Sequence, residues 1–171
     1  MGKTILLAFI CLLVILTGCT NNNEVNVMKL TSPVFENNGM IPARYTCQGE
    51  DVSPPLEIKE VPENTQSLAL IVDDPDAPSG TWVHWVVWDI PTDKVAINED
   101  EVLGKQGKND FGKLDYGGPC PPSGTHRYFF RLYALDFVPD LEEGVTKDEL
   151  MQVIEGHTIE KTELVGKYSK S

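Results

Sequence analysis

Three apolar runs constrain this chain more than anything else in it. They are SLALIVD (Ser67 to Asp73), TWVHWVVWDI (Thr81 to Ile90) and HRYFFRLYAL (His126 to Leu135). The first two are apolar on both faces, which predicts central rather than edge strands, and the third is rich in aromatic residues. Twelve prolines and fourteen glycines punctuate the 171 residues, which breaks long helices and favours short strands joined by loops. No repeat or second apolar cluster calls for another domain.

Weaker elements flank these runs. MKLTSPVF, from Met28, reads as a strand, and NNGMIPARYTC reads as a turn leading into another. TELVGKY reads as a last strand. One helix is well signalled: Thr146 can cap it, Glu149 completes a capping box, Gly156 can end it, and Leu150, Val153 and Ile154 share a face. The stretch from Gly104 to Gly124 is too rich in glycine and proline for a regular element. A loop of that length ending directly at His126 favours a functional role.

The N-terminus is not fold. It has Lys3, then an apolar run from Ile5 to Leu16, too short to span a bilayer comfortably and shaped like the apolar region of a signal peptide. Leu16-Thr17-Gly18-Cys19 resembles a prokaryotic lipobox, in which cleavage precedes the cysteine and the cysteine takes lipid. The expected division is a signal peptide at 1–18, a lipid-anchored tether at 19–27 and a folded domain at 28–171. That makes the protein a membrane-anchored lipoprotein outside the cytoplasm, in the cell envelope. A plain signal peptide or an uncleaved anchor is the alternative.

The formal net charge is −12, with no cluster of Lys or Arg, which argues against nucleic acid as a partner. Cys11 falls in the signal and Cys19 is the lipidation candidate. Cys47 and Cys120 remain; outside the cytoplasm such a pair suggests a disulfide, with two separate buried thiols as the alternative.

Strand alternation then asks which side chains can meet. His126 and Tyr128 share a face at the start of the third run. His84 shares a face with Trp82, Val86 and Trp88 in the second. Asp74 continues the parity of Leu68, Leu70 and Val72 just past the first. If these strands are neighbours, two imidazoles, a phenol and a carboxylate gather at one rim above an apolar floor of tryptophans. The carboxylate can fix one imidazole's tautomer, the rings and the phenol can donate, and the glycine-rich loop can add amide donors. That chemistry suits a small anion. The plainer alternatives are a packed core histidine and ordinary Asx-turn chemistry in DDPDAP.

At these residues a family resemblance enters. DDPDAPSGTWVHWVVWDI and YGGPCPPSGTHRYFFRLYALD resemble the two signature blocks of the phosphatidylethanolamine-binding protein family, also the Raf kinase inhibitor protein family. YTCQGEDVSPPLE, NDFGK and EGHTIEKTELVGKY are similar to its short prokaryotic branch of YbhB/YbcL type. The resemblance covers nearly all of the chain after the signal. It implies an all-β fold, an antiparallel β-sandwich with one or two short peripheral helices. It implies an anion pocket lined by Asp74, Pro78, His84, His126 and Tyr128, with Gly118 to Cys120 on the rim. It also implies a homodimer. The loop before His126 is shorter than in many relatives, which implies a lower wall on one side of the pocket, and the chain lacks the longer C-terminal extension of eukaryotic members, so kinase inhibition is not carried over.

The expected function is therefore a non-enzymatic binding protein for phosphate or a phosphorylated headgroup, without a cofactor and without a bound metal. A protease inhibitor or other envelope-associated interaction module is the alternative. A metal-dependent enzyme built on two histidines and an aspartate comes third. Ser123 has no nucleophile elbow around it and sits too near His126 in sequence to share a triad.

Overall fold

A computed structural model describes residues 26–101 and 103–170. The signal segment, Cys19 and the tether up to Val25 lie outside the described residues.

The three apolar runs become β3 (Ser67–Asp74), β4 (Trp82–Ile90) and β7 (Thr125–Leu135), and they are adjacent. β3 lies between the other two, antiparallel to both, and every residue of β3 is buried. β6 (Lys105–Gln106) joins one edge and the long β8 (Thr158–Ser169) the other, giving a five-stranded sheet in the order β6-β4-β3-β7-β8. A smaller antiparallel sheet holds β1 (Lys29–Thr31), β2 (Leu56–Lys59) and β5 (Ala96–Ile97) in the order β1-β2-β5.

The continuous apolar character of the central strands now has its reason. One face packs toward the small sheet through Leu68, Leu70, Val72, Leu132 and Phe130, with Leu30, Leu56, Ile58 and Ile97 opposite. The other face, with Ala69, Ile71, Val86, Trp88 and Leu135, is covered by Leu150 and Ile154 of α1 (Lys147–Ile154). Helix α1 begins as the sequence indicates. Thr146 accepts from the Glu149 amide while the Glu149 carboxylate accepts from the Thr146 amide, a complete capping box.

Three local expectations need correction. NNGMIPARYTC does not lead into a strand; it makes a single bridge at Met40 and a 3-10 turn at Ala43–Tyr45, because Pro42 sets the turn and buried Tyr45 anchors it. The stretch 104–124 is not wholly irregular, since Lys105 and Gln106 pair with β4. And β4 does not alternate along its length. Val72 faces Trp85 while Asp73 faces Val83, so β4 carries an extra residue, His84, at this step. Val83, Val86 and Trp88 stay on the helix side, whereas His84 and Trp85 both turn toward the small sheet. His84 thus does not share a face with Val86 and Trp88, and Trp88 is no part of a floor beneath it.

Cys47 and Cys120 form a disulfide, Cα to Cα 5.5 Å, across a sequence separation of 73 residues. It ties the 3-10 turn segment to the loop that precedes β7. Hydrogen bonds run beside it. The Cys47 amide donates to the Pro119 carbonyl, the Gly118 amide to Asp51 Oδ1, and the Tyr116 hydroxyl to the Tyr45 carbonyl.

Two stability tests follow. Replacing Cys47 and Cys120 by serine should lower the unfolding free energy by about 4 kcal/mol, the chain-entropy value for a loop of this size. Urea melts that superimpose on wild type would contradict it. Leu150→Ala removes the fully buried side chain that seats α1 and should cost about 3 kcal/mol, a fall in Tm of roughly 10 °C by calorimetry.

Candidate functional site

The site lies where β3 ends and β7 begins, under the loops that join β3 to β4 and precede β7. A cavity of about 300 Å³ there is lined by Asp74, Pro78, Trp82, His84, Phe111, Cys120, Pro121, His126 and Tyr128, with Ala77, Ser79 and Pro122 at its margin. Its walls are largely apolar, and its polar groups converge at the buried end.

Each imidazole is oriented through one ring nitrogen. His126 Nδ1 donates to Asp74 Oδ2 at 2.7 Å, with both side chains buried. His84 Nδ1 donates to the Gly117 carbonyl at 2.5 Å. Those bonds select the tautomer with the proton on Nδ1 and leave Nε2 of each ring without a partner among the described residues. The His84 ring also meets Tyr128 edge to face at 5.2 Å and Phe111 at 5.4 Å. The Tyr128 hydroxyl is buried and has no hydrogen-bond partner of normal geometry; the Cys120 amide is the backbone group that bears on it.

The electrostatics follow from this packing. Burial pushes the His84 pKa below its ordinary 6.5, against the opposing pull of the Gly117 carbonyl and Asp74. A histidine held neutral in the fold destabilises it as pH falls below 6.5, because the unfolded chain takes up the proton first. Burial, then the charge of Asp74, raises the Tyr128 pKa well above the ordinary phenol value, so the hydroxyl keeps its proton.

The DDPDAP segment is held in place by two carboxylates. Asp74 Oδ1 accepts from the Asp76 amide at 2.8 Å, an Asx turn. Asp76 takes the Arg127 guanidinium in a two-pronged pair, 2.9 and 2.6 Å, and also the Arg127 amide at 3.0 Å. That fork lowers the Asp76 pKa from 3.8 to about 2. The pair is complete above pH 3.8 and is lost as pH falls toward 2. Asp73, one residue earlier, points to the opposite face, where it is fully buried between Arg131 and Lys147.

Of the residues singled out from the sequence, Asp74, Pro78, His84, Cys120, His126 and Tyr128 all line this cavity. Gly118 does not. It packs against the Tyr45 carbonyl and Thr46, where a Cβ would sit 2.7 Å from that carbonyl and 2.8 Å from Thr46 Cα. The glycine amides add no anion nest either, since Gly117 donates to the His84 carbonyl and Gly118 to Asp51. Phe111 is the wall residue that sequence reasoning missed. It stacks edge-on to Trp82 at 5.5 Å and rests where a Gly117 Cβ would be. Asn109 places it: its Oδ1 accepts from the Phe111 and Lys113 amides and its Nδ2 donates to the Asp115 carbonyl. The Asn-Asp-x-Gly pattern signals that turn but not the direction of the phenylalanine.

A larger groove, about 860 Å³, runs on the far side of Phe111 along Lys108, Asp110 and Lys147. Its Lys147 is bound to Asp73 and its Asp110 accepts from the Val83 amide, so these two charges serve the fold. Among the described residues no group of three His, Cys, Asp or Glu side chains is placed to hold a metal ion.

Comparison with known proteins bears on the fold and the family. The model of the family described as phosphatidylethanolamine-binding protein matches residues 31–169. A UPF0098 protein of Methanothermobacter thermautotrophicus is 51% identical over 150 residues, covering 84% of this chain and 99% of its own length. One from Archaeoglobus fulgidus is 43% identical over 178 residues; the chain covers 61% of that relative's length. Among solved structures, a phosphatidylethanolamine-binding protein homologue from Chlamydia trachomatis superimposes with a TM-score of 0.83 at 43% identity, covering 85% of this chain and 99% of that one. E. coli YbcL, described as a member of the mammalian family, gives 0.77 at 29% identity, covering 84% and 99%. With the two-sheet fold and the sequence match in agreement, the chain belongs to the phosphatidylethanolamine-binding protein family, in its UPF0098 prokaryotic branch related to YbcL.

Proposed function

We propose that this protein is a non-enzymatic binding protein whose cavity takes a small oxyanion, a phosphate or a phosphorylated headgroup, and that Cys19 carries lipid and holds the domain outside the cytoplasm. One observation carries the binding reading. Two buried imidazoles in the same cavity have Nδ1 committed, to Asp74 and to the Gly117 carbonyl, beside a neutral phenol of otherwise unused hydrogen-bonding capacity. The buried phenol hydroxyl costs free energy while unpaired, and a ligand rich in oxygen atoms in this cavity would satisfy it.

A binding role is favoured over group transfer by what surrounds the His126–Asp74 pair. Among the described residues no serine, threonine or cysteine is hydrogen-bonded to either imidazole, so the pair has no nucleophile in place to activate. The lipid anchor rests on the Leu16-Thr17-Gly18-Cys19 sequence. Among the described residues no helix is long and apolar enough to cross a membrane.

The protonation states set a pH dependence. With Nδ1–H engaged, neutral His84 offers only a lone pair at Nε2; it becomes an outward donor on gaining a second proton. An oxyanion therefore binds with proton uptake, and affinity should rise as pH is lowered through the depressed His84 pKa, below 6.5. Titration with inorganic phosphate and with O-phosphoethanolamine, followed by NMR of the histidine side chains, tests both points. His84 and His126 signals that stay put at millimolar ligand would end the reading. Asp74→Asn should weaken binding about tenfold, because His126 loses the charged acceptor that fixes its tautomer. Unchanged affinity in a folded Asp74→Asn variant would remove Asp74 from the site.

A further inference from the structure

We infer that the ligand of this pocket is a water-soluble oxyanion rather than a headgroup of the bilayer that anchors the chain, because the tether leaves the domain at the end opposite the pocket. This rests on the pocket reading and on lipidation at Cys19.

The exit point of the tether is fixed. The Met28 side chain is buried, its amide donates to Glu160 Oε1 at 2.8 Å, and the next residue, Lys29, is already paired with Lys59 of β2. Val27 is exposed. Glu160 lies opposite Ala134, near the end of β7, whereas His126 lies opposite Tyr168, near its start. Eight residues separate His126 from Ala134, which is roughly 27 Å along the strand. The chain therefore enters the sandwich at one end of β7 and β8, and the cavity opens at the other.

The tether is too short to reverse that arrangement. From Cys19 to Met28 there are nine residue steps, which span at most about 30 Å when fully stretched. To lay the pocket mouth on the membrane, the tether would have to run back past the whole length of the sheet. That uses nearly all of its reach before any detour around a domain whose diameter is roughly 40 Å. Slack is absent in that orientation and plentiful in the opposite one, with the Met28 end toward the lipid. Charge acts in the same direction, since a chain of net charge −12 without a basic cluster gains nothing from an anionic leaflet. The shared chemistry of the two sources, a phosphate oxyanion, is the same; the geometry admits the one that diffuses to the far end.

The test uses the full chain, purified with its lipid and added to preformed vesicles. Equilibrium dialysis with radiolabelled O-phosphoethanolamine is run in detergent, with phosphatidylcholine vesicles, and with vesicles containing phosphatidylethanolamine. A second chain carries ~30 Gly/Ser residues inserted between Asn26 and Val27, enough to let the domain turn over. The native chain should bind the probe with the same affinity in all three media. In the extended chain, headgroups at millimolar effective concentration should compete and weaken apparent binding about tenfold. Competition by vesicles in the native chain overturns the inference while leaving the pocket reading intact. Lack of competition in the extended chain overturns it as well, since orientation would then not be what excludes the headgroups. No probe binding in detergent overturns the pocket reading and this inference together, and a mature N-terminus other than lipid-modified Cys19, read by mass spectrometry, removes the tether on which it stands.

Discussion

Between Val72 and Asp73 the β3–β4 ladder sets two residues of β4 against one step of β3, and His84 is the residue left over. Without that bulge, a strand with Val83, Val86 and Trp88 on the helix side could not also turn His84 toward the space between the sheets. The bulge puts His84 against Tyr128 and brings its Nδ1 within reach of the Gly117 carbonyl. It also brings the β4 backbone to the loop before β7, since the His84 carbonyl accepts from the Gly117 amide and lies 3.3 Å from Asn109 Nδ2. Sheet and loop are joined here and at the neighbouring Val83, which exchanges hydrogen bonds with Asp110, and the cavity lies between them.

Around that point three neighbouring acids have separate tasks. Asp73 faces the helix side and neutralises Arg131 and Lys147, tying α1 to the sheet. Asp74 faces the cavity and orients His126. Asp76 holds the β3–β4 loop to the start of β7 through Arg127. None of the three carboxylates is spare. In a chain this acidic, that matters: an anion site needs its nearby negative charges already engaged, and here each is.

Much of this was legible in the sequence, for definable reasons. The central strands showed because burial on both faces leaves a run of apolar residues whatever the register. Helix α1 showed because its cap is encoded by Thr146 and Glu149 alone, three residues apart. Reading Cys11 and Cys19 as signal and anchor leaves Cys47 and Cys120 as a candidate pair, but the sequence does not separate a disulfide from two buried thiols; the 5.5 Å Cα separation does. Short elements such as β2, β5 and β6 did not show, since two to four residues carry too little periodicity. Alternation also misled at one place. A bulge changes the parity of everything beyond it, so strict alternation groups His84 with Trp88, which lies on the other face.

The sequence by itself determined the chemical inventory and the strand cores: two histidines, a tyrosine and an aspartate at strand ends, in blocks that resemble one family. Only the tertiary structure decided that Gly118 faces Tyr45 instead of the cavity, that Phe111 forms its wall, and that Met28 enters at the end of β7 away from His126. Composition and spacing are local and survive in one dimension. Direction is not: a side chain's facing depends on registry with strands far along the chain, as Ser67 of β3 lies opposite Leu135 of β7, and that registry exists only once the sheets have closed.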